Sequence, residues 1–236
     1  MTYVISDIHG CYKEYLELLD KIAFCDDDEL FVLGDAMDRG PDPIKVIQDL
    51  MARPNVTYLL GNHDHMMLTA LGRLAVEVTE ANLRELTSAD LRTYLHWLSQ
   101  GGDTTMAQFK LLSQEERRDI LDFLECAPCY ELLEREDALY VLVHAGIRNF
   151  DPGKELDEYE PIDFLWERLD YSRRYFPSDR IFLVTGHTPT HLIGAGQPLV
   201  YKGNGHIAID CGCVFGGNLA AYCIETGNAT YVKHLK

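Results

Sequence analysis

Six side chains able to bind a cation stand where apolar runs give way to polar residues. Asp7 and His9 follow Tyr3-Val4-Ile5, Asp35 follows Leu30-Phe31-Val32-Leu33, and Asn62 follows Val56–Leu60. His144 follows Leu139–Val143, and His187 follows Ile181–Val184. Any one of these has an ordinary explanation as a hydrogen-bonded loop residue. Six at five run ends call for a shared one. Carboxylate, imidazole and amide oxygen together suit divalent ions such as Mn²⁺, Fe²⁺ or Zn²⁺. Six ligands exceed what one open catalytic ion takes, and they suit two ions sharing a bridging carboxylate. Around Asp35, the stretch Gly34-Asp35-Ala36-Met37-Asp38-Arg39-Gly40 adds a second acid and a guanidinium between glycines that let the backbone turn sharply.

These residues need elements to position them. The runs at 3–6, 30–33 and 56–60 read as buried strands. The first leads into a helix over 12–22, with Tyr15, Leu16, Leu18, Leu19 and Ile22 at helical spacing. Pro41-Asp42-Pro43 starts a second helix that runs to about Met51. Three strand–loop–helix units in succession predict an α/β sandwich. Residues 66–125 differ: helical periodicity over Met66–Val76, Asn82–Trp97 and Gln114–Leu124, broken at Gly101-Gly102, predicts a helical insertion. Strand signals then return as a hairpin, Tyr130–Leu133 with Leu139–Val143, and a run at Ile181–Val184. His206–Ile209, Leu219–Ile224 and Ala229–Lys233 predict a closing antiparallel meander, with a hairpin turn at Thr226-Gly227-Asn228.

With 236 residues and no internal repeat or low-complexity linker, a single domain spanning 1–236 is expected. The formal charge of -17 argues against a protein that grips a nucleic-acid polymer through a basic face. No run of 18 apolar residues is present, so no membrane span is expected. The seven cysteines are odd in number and scattered, and no signal peptide precedes the first strand, so reduced thiols and a cytoplasmic setting are expected. Cys126–Cys129 and Cys211–Cys213 are read as structural thiols. Trp97, Tyr171 and Tyr175 are read as packing residues. His65, His96, His191, His206 and His234 fall outside the motifs, although His65 and His191 lie close enough in sequence to form part of a rim.

The ordered blocks Asp7-Ile8-His9-Gly10, Gly34–Gly40, Gly61-Asn62-His63-Asp64, His144-Ala145-Gly146 and Gly186-His187-Thr188 resemble the signature of the phosphoprotein-phosphatase family of calcineurin-like metallophosphoesterases. Phe164–Arg168 and Ile209–Leu219 are similar to segments of its compact bacterial and phage type. The resemblance implies an αββα sandwich of two mixed sheets flanked by helices, with a helical insertion at about 66–125. It implies two divalent ions, Mn²⁺ foremost, with Fe, Zn, Ni or Co as other occupants. Asp7, His9 and the bridging Asp35 would hold one ion; Asp35, Asn62, His144 and His187 would hold the other. His63 would protonate the leaving group with Asp38 as its orienting partner, and Arg39, Arg168 and Asn62 would hold the phosphate. The third block ends in Asp64, where the family usually has Glu. His144-Ala145-Gly146-Ile147 also resembles diadenosine tetraphosphatases of the same superfamily, but these often lack the acid found here as Asp38. A serine/threonine protein phosphatase, acting on a phosphoprotein or a small phosphoester by direct in-line attack of water, is therefore the favoured expectation. A dinucleoside polyphosphate hydrolase is the alternative. Specificity would rest on residues 66–125 and the loop 211–217, and the oligomeric state is left open.

Overall fold

The computed structural model describes residues 1–72, 87–193 and 196–234. Ten strands form two five-stranded mixed sheets within these residues. In the first sheet, β1 (Thr2–Ile5), β2 (Glu29–Val32) and β3 (Val56–Tyr58) run parallel. In the second, β4 (Tyr130–Arg135) pairs antiparallel with β5 (Ala138–Val143), and β5 runs parallel with β6 (Ile181–Thr185). β7 (Tyr201–Gly203) and β8 (His206–Ala208) complete that sheet, β8 lying parallel to β6. β9 (Asn218–Cys223) and β10 (Ala229–Lys233) return to the first sheet, antiparallel on the free side of β1.

The period of two along each strand divides the core. Val4, Phe31, Leu142, Val184 and Ile207 point between the sheets, where they form one apolar layer. Their neighbours Ile5, Leu30 and Val32 face outward onto helices α1 (Tyr12–Lys21), α2 (Pro43–Ala52) and α3 (Asn62–Leu71). On the far side, Val141, Val143 and Leu183 are covered by Tyr159, Phe164 and Leu169 from the 144–180 connection. That connection contains short 3-10 helices at Leu156–Glu158 and Pro161–Phe164. The α/β class with two mixed sheets flanked by helices is thus the observed architecture.

The region after α3 contributes α4 (Ser88–Trp97), a π-helical turn at Leu98–Gly102, α5 (Asp103–Phe109) and α6 (Gln114–Glu125). α6 starts at a capping box in which Ser113 Oγ accepts from Glu116 N at 3.2 Å. Two expectations change and part of a third lies outside the described residues. The helix expected from Met66 begins at Asn62, so it carries two site residues in its first turn. Residues 73–76 and 82–86 of the expected helices lie outside the described residues. The closing meander is not one: β8 belongs to the second sheet and β9 to the first, and β7 is an added strand. Their link is the isolated bridge between Gly212 and Asn218. The carboxyl ends of β1, β2, β3, β5 and β6 meet at one end of the sandwich, which is where open α/β sheets place ligands.

Candidate active site

The loops after β1 and β2 are zipped together by backbone bonds. Asp7 N donates to Gly34 O at 3.2 Å, His9 N to Asp35 O at 2.9 Å, and Gly10 N to Ala36 O at 2.9 Å. To follow this path Asp7, His9, Asp35, Asp38, Arg39 and His187 all adopt positive φ, between 44° and 67°. Each such residue costs on the order of 1–3 kcal/mol and persists only where its surroundings over-determine it, so strain gathered at one place marks a functional end of the fold.

Each carboxylate has one oxygen fixed and one turned inward. Asp35 Oδ1 accepts from His63 N at 2.9 Å. That approach requires glycine at 61, because a Cβ there would lie 2.2 Å from Asp35 Oδ1. The other oxygen, Oδ2, is 3.6 Å from both His9 Nε2 and His144 Nε2. Asp7 Oδ2 accepts from Ser6 Oγ at 2.5 Å and from His187 N at 2.9 Å, leaving Oδ1 3.9 Å from His9 Nε2.

The imidazoles are oriented in the same sense. His9 Nδ1–H donates to Met37 O and His144 Nδ1–H to Leu33 O, each at 2.7 Å, so each presents the Nε2 lone pair to the interior. His144 Nε2 and His187 Nδ1 both lie 2.8 Å from Asn62 Oδ1. With the His144 proton committed to Leu33, two lone pairs face each other there, an arrangement that a cation reconciles. Burial pushes His9 well below the usual imidazole range, with Arg39 and His63 acting in the same sense. Burial, and next the neighbouring His144, takes His187 down to about 2. Burial raises Asp35 well above the carboxylate range, opposed by His63 and reinforced by Asp7 and Asp64. Neutral imidazoles and crowded buried carboxylates are the donor set of a divalent-ion site.

The ligand atoms of Asp7, Asp35 and His144 lie within 4.8 Å of one another, and so do those of His9, Asp35 and His63. Asp35 belongs to both groups, as a bridging ligand must. The guanidinium of Arg39 spans the two sides: Nη1 is 2.5 Å from His9 Nε2 and Nη2 is 2.6 Å from His63 Nε2. A positive group therefore already sits against the lone pairs, and the residues fit divalent ions.

Asp38 is buried behind this ring. Its Oδ2 accepts from His63 Nδ1 at 2.7 Å and from Trp97 Nε1 at 2.9 Å, and its Oδ1 accepts from Thr105 Oγ1 at 2.6 Å. Trp97, expected to be a packing residue, thus donates into the site. Neither Trp97 nor Thr105 carried a signal, because their distance of 59 and 67 residues from Asp38 is closed only by the fold. Asp64 is fully buried, and its Oδ2 accepts from Asp35 N at 3.1 Å, Gly61 N at 2.8 Å and Tyr58 OH at 2.7 Å. The shorter acid in place of Glu therefore braces the Asp35 loop, with Tyr58 as its partner.

A cavity of about 420 Å³ opens over the ring, floored by Asp7, Asp35, Asn62 and His187 with Arg39 and Arg168 on its walls. His63, Asp38, His9 and His144 lie behind that floor. Asp210, Pro189, His191, Leu192 and Phe215 form the rest of the rim. His191 thus reaches the cavity, whereas His65 does not line it. Asp210 was legible, since it follows the apolar run at 206–209 as the other site acids follow theirs. Burial raises it well above the carboxylate range, with Asp7 adding to the effect. Phe215 and Leu192 are 61% and 64% exposed, and the Phe215 ring centre is 5.2 Å from Arg39 Cζ.

The calcineurin-like phosphoesterase family pattern matches residues 2–232. The chain belongs to that family. It is accordingly a hydrolase of phosphoester bonds. Among curated relatives, the asymmetrical bis(5'-nucleosyl)-tetraphosphatase PrpE of Bacillus subtilis (strain 168) is 30% identical over 94% of this chain and 90% of its own length. The symmetrical bis(5'-nucleosyl)-tetraphosphatase of Erwinia tasmaniensis is 28% identical over 93% of this chain and 92% of its own. A crystal structure provisionally described as a diadenosine tetraphosphatase superposes over 100% of this chain and 94% of that one, with a TM-score of 0.65 at 19% identity. A serine/threonine phosphatase from Saccharomyces cerevisiae shares the fold at a TM-score of 0.61 and 13% identity, covering 100% of this chain and 79% of that one.

These relatives overturn the expectation of a serine/threonine protein phosphatase and of a phosphoprotein substrate. The error lay in using Asp38 to discriminate. Asp38 is hydrogen-bonded to His63, and an acid–histidine pair of this kind suits the departure of a phosphate as well as of an alkoxide, so its presence says nothing about which is bound. No helix among the described residues is long and apolar enough to cross a membrane.

Proposed function

We propose that the chain hydrolyses bis(5'-nucleosyl) tetraphosphates. The observation that carries this reading is the full-length similarity to curated tetraphosphatases, 28–30% identical over more than nine-tenths of this chain. The cavity suits it. Arg39 and Arg168 present two guanidinium forks to a polyphosphate, and the exposed Phe215 and Leu192 offer apolar surface at the mouth for a nucleoside.

In this reading Asp7, His9 and Asp35 hold one divalent ion, and Asp35, Asn62, His144 and His187 hold a second, Mn²⁺ being one ion that such donors accept. When bound, the ions would supply charge neutralisation and an activated water. The chain's own groups do the rest. Arg39 and Arg168, with Asn62, align the scissile phosphoryl group and spread its charge. His63 is held by Asp38 at 2.7 Å and gives its Nε2 proton to the departing phosphate oxygen. Arg39, now against His63 Nε2, turns to the phosphate as substrate enters.

The test is product analysis. Supplied with Mn²⁺, the enzyme should convert diadenosine tetraphosphate and water either to ATP and AMP or to two ADP, far faster than it dephosphorylates a phosphoserine peptide. A preference for the peptide would overturn the proposal, and the nucleotide products identify the bond cut.

A further inference from the structure

We infer that Cys11, Cys213 and His234, with Glu14 beside them, form a second cation site that takes a thiophilic divalent ion such as Zn²⁺. The two sulfur atoms and an imidazole nitrogen of His234 lie within 4.8 Å of one another. Cys11 and Cys213 are both buried. The buried Nδ1 of His234 is 2.9 Å from Glu14 Oε1 but makes no aligned hydrogen bond, so two ligand atoms converge there off the donor direction. Two thiols and an imidazole supply three of the four ligands typical of structural zinc, which displaces both thiol protons on binding, and Glu14 is the carboxylate beside His234. The ring around Asp35 contains no sulfur, so the two sites differ in ligand class.

The residues come from three separate parts of the chain. Cys11 immediately precedes α1 and Glu14 lies in its first turn. Cys213 opens the 3-10 helix Cys213–Phe215, which is bounded by Gly212 and Gly216 in left-handed conformation. His234 follows β10, and its N donates to Gly217 O at 3.0 Å. An ion here ties the start of α1 and the end of the chain to the loop that carries Phe215 to the cavity rim. This site stands independently of the substrate proposed above.

The test uses the full chain, reduced and stripped of metal, and then titrated with Cd²⁺ or Co²⁺. A thiolate-to-metal charge-transfer band should grow with one equivalent of ion, because only a sulfur-containing site gives one. Cys213→Ser should abolish or halve the band, and His234→Ala should weaken the affinity at least tenfold. His234 is at the accessible end of the cluster, so His234→Ala decides the matter if Cys213→Ser does not fold, which circular dichroism would show. Absence of the band in the unsubstituted chain under excess Cd²⁺ would overturn the proposal. So would a band unchanged in His234→Ala. Neither outcome bears on tetraphosphate hydrolysis, which is read from nucleotide products.

Discussion

Asp38 does not choose the substrate, and the expectation that leaned on its presence drew too much from one side chain. Its bond to His63 follows from the motif, but three donors converge on it, and two of them come from helices far along the chain. If His63 is the proton donor proposed above, its importance should scale with the basicity of the leaving oxygen. His63→Gln is expected to lower kcat by about 10²–10⁴-fold on an alkyl phosphate, the usual range for general acid catalysis, and by much less on a phosphoanhydride, whose leaving phosphate is a weaker base. Steady-state kinetics on the two substrates checks this, and equal losses would mean that His63 acts by another route. Trp97→Phe keeps the buried ring but removes the N–H that reaches Asp38. A hydrogen bond to a charged group contributes about 1.5–3 kcal/mol, so a fall in Tm of about 3–12 °C is expected from a thermal melt, together with lower kcat. An unchanged melt and unchanged kcat would show the indole bond to be idle.

At the scale of elements, the break at Gly101-Gly102 was visible in the sequence, but its purpose was not. The π-helical turn at Leu98–Gly102 presses the backbone of Gly101 onto Arg39, whose N donates to Gly101 O at 2.9 Å. Gly101 has φ of 106°, and a Cβ there would lie 2.6 Å from Arg39 Cγ and 3.0 Å from Arg39 N. Gly101→Ala therefore meets both an unfavourable backbone and a clash against Arg39, which lines the cavity. It should cost about 1–3 kcal/mol in a denaturant titration and raise KM for the tetraphosphate several-fold. A stable variant with normal KM would separate the helical region from the site. The strands show the complementary limit. Alternation predicts that His206–Ile209 and Leu219–Ile224 are strands, but it carries no record of which sheet receives each. Thus β8 joins β6 and β9 joins β1, and only the three-dimensional path through Gly212 reveals the crossover.

Across the whole molecule, the gathering of the candidate ligands at one end was legible because every member follows a strand, and parallel strands bring their carboxyl ends together. The residues that hold the ring in place were not legible, because Tyr58, Trp97 and Thr105 look like ordinary core until a partner is placed opposite them. The same architecture concentrates negative charge: Asp7, Asp35, Asp64 and Asp210 are all at most 5% exposed in a chain of formal charge -17. Once these acids and the equally buried Asp38 are ionised, a tetraphosphate can enter such an end only if the local field is reversed, and Arg39 and Arg168 are too few to offset five carboxylates and a polyanion. Divalent ions should therefore stabilise the fold as well as assist the reaction. An ion at one hundred times its Kd adds about 2.7 kcal/mol to the folded state, which for a chain of this length corresponds to a Tm about 5–11 °C higher than in excess chelator. Asp35→Asn removes the bridging charge and should lose most of that increment while retaining the fold, since His63 N still finds an oxygen at that position. If chelation leaves Tm unchanged in the unsubstituted chain, the buried acids are held neutral by proton rather than metal, and the two-ion reading of this end of the sandwich fails.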